Sequence, residues 1–188
     1  MTVARWLALM AGFEKIEDKE MTLMKRQFIS AHATTLALLI TTGFAVSQVL
    51  TEKQMSVGLA LEIAQAALNQ CRTDGYHVGV AVVDRAGQVK ALLRDDGGNP
   101  QLVEASERKA YTSAIFRSPS GAFFERIQQN PGNAALTELR GVLALRGGLP
   151  IKAGDEVIGA VGVGGAPGGD KDEACAQAGI QKVSDKLH

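Results

Sequence analysis

The densest local signal for chemistry is Gly162-Val163-Gly164-Gly165-Ala166-Pro167-Gly168-Gly169-Asp170. It joins an apolar strand pattern to a helical one, where backbone N–H groups can cradle an anion. Gly164 and Gly169 have the spacing of a phosphate-binding loop, but Asp170 stands where that motif requires lysine. A dinucleotide fingerprint fails as well, because Pro167 takes the third glycine position. Two readings remain open: a ligand-contacting loop, or a tight connection whose glycines adopt positive φ.

A second signal lies on the helix that Asn99-Pro100 opens, the asparagine as cap and the proline at the first position. Leu102, Ala105, Lys109, Thr112 and Phe116 recur at alternating spacings of three and four. One stripe thus carries a lysine and a hydroxyl among apolar residues. An inward lysine is costly unless it snorkels or meets an anion. Arg94 and Asp95 end the strand just before this helix. They either orient a ligand or pair with each other. His77 opens a strand beside Tyr76, a place where histidine serves as a surface residue or as a ligand. No Ser/His/Asp signature is present, and Glu104 and Glu107 are generic as general bases.

These residues need elements to hold them. Thr51-Glu52-Lys53-Gln54 reads as a capping box, followed by a helix with Val57, Leu61, Ala64, Leu68 and Cys71 on one face. His77 to Asp84 is a strand apolar on both faces, so both are expected to be covered. It turns at Arg85-Ala86-Gly87 into a second strand ending at Arg94. After the Asn99-Pro100 helix comes a short one containing Phe123, Phe124 and Ile127, broken by Asn130-Pro131-Gly132. Val142 to Leu145 is expected as a short strand. Leu149-Pro150-Ile151 and Val157 to Val163 pair across Ala153-Gly154-Asp155. Asp170-Lys171-Asp172-Glu173 caps the last helix, with Ala176, Ile180, Val183 and Leu187 as its apolar stripe. The fold class is α+β, three layers, an antiparallel sheet with helices on both faces.

The chain has 188 residues, with 20 basic and 20 acidic side chains. That balance argues against a nucleic-acid binder, which needs a basic surplus. Three histidines and two cysteines do not fill a four-ligand zinc site at the usual spacings. Residues 1–20 carry Glu14, Glu17, Asp18 and Glu20 and read as an upstream start-site artefact. Residues 21–47 have the parts of a secretory signal: Lys25-Arg26, the apolar run Leu36 to Val46, and the small-residue site Ala45-Val46-Ser47. The run is too short for a stable membrane span; a buried N-terminal helix is the alternative. Cleavage leaves 141 residues, 48–188, with 15 basic and 16 acidic side chains, one domain in the periplasm or outside the cell.

Five blocks resemble the GlcG/HbpS family, in family order. They are Arg94-Asp95-Asp96-Gly97; Arg108 to Ala114; Gly147-Gly148-Leu149-Pro150-Ile151; Ile158 to Ala166; and Asp172-Glu173-Ala174-Cys175-Ala176. The resemblance implies a profilin-like fold, and for some members haem binding, in one kind as a redox-sensing partner of a membrane kinase. It therefore implies haem or a related tetrapyrrole as ligand, with scavenging or sensing duty, and a homo-oligomer. The alternative is a small cofactor-free lyase or isomerase acting on a cyclic metabolite. Covalent c-type haem is excluded, since Cys-x-x-Cys-His is missing. Among His77, Met55, Tyr76, Tyr111, Cys71, Cys175 and Thr112, the resemblance favours Thr112 as a weak iron ligand, because it matches the threonine of the Lys-Ala-x-Thr-Ala motif; His77 is the second candidate. Arg94, Asp95, Lys109, Thr112, Gly164 and Gly165 are expected to line one pocket. The profilin-like arrangement also brings Cys71 toward Cys175, as a disulfide or as two buried thiols.

Overall fold

A computed structural model describes residues 49–188. The expected start-site artefact and signal, residues 1–47, lie outside the described residues. Residues from Thr51 onward form one compact unit.

The first helix, α1 (Val57–Thr73), starts later than the capping box predicts. Ser56 is the cap, and its hydroxyl accepts from the Leu59 amide at 3.2 Å. Met55 just before it is buried in the core, which fixes the entry of the chain at that point. The buried face also differs: Val57 and Leu61 are exposed, while Ala60, Ile63, Ala64, Ala67, Leu68 and Cys71 are buried. Small residues carry this face because another helix packs close against it.

Strands β1 (Gly79–Asp84) and β2 (Val89–Arg94) form the expected hairpin. Helix α2 (Gln101–Phe116) follows, with the Asn99 side chain accepting from the Gln101 amide. Helix α3 (Ser120–Gln129) and a 3₁₀ run, Pro131–Glu138, come next. Strands β3 (Gly148–Ala153) and β4 (Glu156–Gly164) form a second hairpin, and helix α4 (Gly169–Lys182) closes the domain.

The sheet order is β2-β1-β4-β3, antiparallel throughout. Strand alternation sends Val80, Val82, Val161 and Val163 into one layer with α1 and α4. It sends Ala81, Val83 and Ala160 into the other, against Ala110 and Ala114 of α2. The second layer is thin because glycine lets α2 lie on the sheet backbone. A Cβ on Gly162 would sit 2.1 Å from the Ser106 carbonyl oxygen, and one on Gly148 would sit 2.2 Å from that of Lys109.

The strand expected at Val142 to Leu145 does not form. Its polar groups are taken by α2 instead: the Leu143 amide donates to Thr112 Oγ1, and the Val142 carbonyl accepts from Arg108. The place beside β4 belongs to β3. Cys71 and Cys175 are bonded, with Cα atoms 5.5 Å apart, tying α1 to α4. No helix of the described residues is long and apolar enough to cross a membrane.

Candidate functional site

Where α1 ends and β1 begins, the chain builds a polar relay. Asp95, on the turn after β2, is buried to 3% exposure. Its Oδ1 accepts from Arg72 Nε at 2.6 Å, and its Oδ2 lies 3.0 Å from His77 Nδ1. The hydrogen bond from Arg72 holds the Asp95 carboxyl below the ordinary carboxylate range; burial pushes the other way, and the His77 contact reinforces the lowering. The His77 side chain is 67% exposed. An ionised carboxylate on Nδ1 selects the tautomer with its proton there, so Nε2 faces outward as an unprotonated donor. A cleft of about 370 Å³ is lined by Arg72, Gly75, Tyr76, His77, Asp95 and Asp96.

On the opposite face of the sheet, Lys109 is buried to 6% exposure. Its Nζ donates to Asp172 Oδ2 at 2.7 Å and to the Val163 carbonyl at 3.0 Å. Asp172 Oδ1 in turn accepts from the Ala166 amide, so this side chain braces the glycine-rich loop rather than capping its own helix. Burial pushes the Asp172 carboxyl up, and the Lys109 ammonium pulls against that shift without cancelling it. Lys109 also lines a small cavity with Phe124, Leu145, Arg146 and Gly169.

A third cleft, about 520 Å³, is lined by Tyr111, Arg108, Arg140, Glu107 and the turn around Gly87 and Gly141. Gly87 and Gly141, both at positive φ, clasp the Tyr111 ring. A Cβ on Gly87 would lie 2.6 Å from that ring.

A family model described as haem degrading protein HbpS-like matches residues 55–181. The chain belongs to the HbpS-like family. Protein GlcG of Escherichia coli K12 is 31% identical over 113 residues, 60% of this chain and 83% of that one. A double mutant of Streptomyces reticuli HbpS is 36% identical, with a TM-score of 0.68, over 72% of this chain and 90% of that one. PduOC, solved as a haem complex, is 19% identical, with a TM-score of 0.62, over 69% and 95% of the two chains. At that identity the likeness is one of fold.

Within this HbpS-like chain, the residues expected to share one pocket are divided between the two faces of the sheet. Arg72 and His77 draw Asp95 toward the end of α1, whereas Lys109 and Thr112 sit on α2. Arg94 donates to the Gly98 carbonyl at 2.7 Å. Thr112 is fully buried; its hydroxyl donates to the Arg108 carbonyl and accepts from the Leu143 amide, which leaves no exposed oxygen for an iron ligand. Lys109 is held by Asp172 and is not free for a propionate. Phe116, the last residue of the expected stripe, stacks on Phe123 with ring centroids 4.1 Å apart. One expected pair lies close: a Cβ on Gly164 would lie 3.7 Å from Lys109 Nζ, while one on Gly165 would lie 2.8 Å from the carbonyl of His77, a residue outside the expected pocket. Sequence reasoning missed Arg72 and Asp172. Asp172 is buried and Arg72 is half-exposed, each near a helix end, and only the pairing of elements reveals their partners.

Proposed function

We propose that this protein binds haem, with His77 Nε2 as the protein's ligand to the iron. The observation that carries the reading is the 3.0 Å contact between His77 Nδ1 and the buried Asp95. It fits the group: an exposed imidazole, oriented by a carboxylate on its far nitrogen, is a suitable donor to iron. Arg72 fixes that carboxylate and keeps it ionised. Its Nη1, which Asp95 does not use, is available to a ligand carboxylate at the rim of the cleft. Tyr76 contributes an aromatic, half-buried wall. Haem, when bound, would supply a redox-active iron; the chain's own part would be to offer His77 to that iron and to hold the imidazole in place through Asp95 and Arg72. Membership of a family named for haem supports the same ligand. The Cys71–Cys175 bond and the leader-like residues 21–47 support an exported, periplasmic or secreted protein.

Haem titration followed by visible absorption tests this. The wild-type protein is expected to give a histidine-ligated spectrum, and His77→Ala is expected to lose it. A spectrum and affinity unchanged in His77→Ala would move the ligand elsewhere, with the Tyr111 cleft next.

A further inference from the structure

The haem reading leaves the best-buried cation of the fold unused. Lys109 is a primary amine at the wall of a cavity of about 250 Å³, and the other walls are Phe124, Leu145, Arg146 and Gly169. Its Nζ touches one carboxylate, Asp172, at 2.7 Å. A buried ion pair is a poor device for stability, because desolvation offsets most of its attraction. A buried amine with an adjacent proton acceptor and an apolar cavity has the parts of a covalent nucleophile.

We propose that Lys109 forms a Schiff base with a small, uncharged aldehyde or ketone in this cavity, with Asp172 carrying the proton. Lys109 passes a proton to Asp172 Oδ2 as its nitrogen adds to the carbonyl carbon. Asp172 returns that proton to the carbinolamine oxygen. A second proton from the nitrogen completes the departing water, and its third passes to Asp172 Oδ2, leaving a neutral C=N bond beside a protonated carboxyl. The burial that raises the Asp172 carboxyl suits it to this exchange.

The rim chooses the carbonyl class. Arg146 is the cation at the cavity mouth, but Glu125 and Glu173 both pair with it. Two carboxylates on one guanidinium leave the mouth net negative. Glu173 Oε1 is moreover buried without a hydrogen-bond partner among the described residues. An oxo acid would meet repulsion there and find no free cation, whereas a neutral carbonyl compound with a short apolar body suits Phe124 and Leu145.

The test is reductive trapping of the intact, disulfide-bonded protein with propanal and cyanoborohydride, followed by peptide mapping. Burial alone would make Lys109 the slowest lysine to react. The expected result is a propyl adduct at Lys109 roughly tenfold faster than at the exposed Lys90 and Lys171, with that preference abolished in urea. Labelling of Lys90 and Lys171 while Lys109 stays unmodified overturns the proposal, as does a preference that persists in urea. Asp172→Asn, which keeps an acceptor for the Ala166 amide, is expected to slow the Lys109 adduct roughly a hundredfold. An unchanged rate would remove Asp172 from the reaction. Haem absorption is read at a separate cleft, so failure here leaves the His77 reading standing.

Discussion

The Leu143 amide donates to the Thr112 hydroxyl at 2.8 Å, across a separation of 31 residues. That hydroxyl spends its own proton on the Arg108 carbonyl one turn back, so a single side chain pins an irregular segment to the middle of α2. Thr112→Val keeps the shape and removes both bonds. Leaving the buried amide unpaired costs about 1–3 kcal/mol. Urea denaturation is expected to show this loss, while the haem spectrum stays that of the parent. A changed spectrum at normal stability would return Thr112 to the ligand set.

Asp95→Asn keeps the size of the side chain and removes its charge. As a residue that positions His77, it is expected to weaken haem affinity about 10–100-fold, without abolishing the histidine-ligated spectrum. Equilibrium titration of the two proteins side by side measures this.

The same carboxyl sets an acid limit. Its folded-state value lies below that of the unfolded chain, chiefly through Arg72. Its stabilisation is therefore complete above the ordinary carboxylate value of about 3.9. It is lost as pH falls through the lower folded-state value. Denaturation midpoints of wild type and Asp95→Asn should differ at pH 6, and the gap should shrink progressively as pH falls below about 3.9. A gap that stays constant with pH would contradict the ionic role.

Gly162→Ala places a methyl group 2.1 Å from the Ser106 carbonyl oxygen, against backbone that cannot rotate away. The loss is expected at or beyond the upper end of the usual overpacking range, about 1–3 kcal/mol. Gly58→Ala, at a position with nothing nearby, is the control and should be neutral or better. Thermal melts of the two variants separate close packing from a general intolerance of β-carbons.

Reduction of Cys71–Cys175 opens a loop spanning 104 residues. The folded protein should lose about 2–5 kcal/mol, read as a fall in urea midpoint with reductant present. Equal midpoints would mean that the bond constrains nothing the sheet does not already hold.

Much of this architecture is legible in the sequence because it is local. Both hairpins, the helix opened by Asn99-Pro100 and the break at Asn130-Pro131-Gly132 all follow from neighbouring residues. The errors have one origin, competition between elements. Val142 to Leu145 has strand-like residues, but α2 takes its hydrogen bonds before a sheet can. Val57 and Leu61 have helical spacing, yet Ala60, Ile63 and Ala67 face inward, because α4 approaches so closely that a Cβ on Gly179 would lie 2.7 Å from the Ile63 carbonyl. The dispersal of the expected pocket has the same cause. Lys109 and Asp95 look like neighbours along a strand-to-helix path, but their partners Asp172 and Arg72 come from helices that only the folded chain brings near. His77 was visible as a residue, while its orientation by Asp95 depends on where the turn after β2 ends.

The Cys71–Cys175 bond also changes what a protease can accomplish. It joins the first helix of the domain to the last, so every backbone bond from β1 through β4 lies inside one covalent ring. The exposed connection between α3 and β3 is the natural place for a cut. A chain nicked there once would remain a single molecule, held by its disulfide and by the β1–β4 pairing at the centre of the sheet. Only reduction would release the two pieces, so the cut chain would migrate whole on a non-reducing gel and as two fragments on a reducing one.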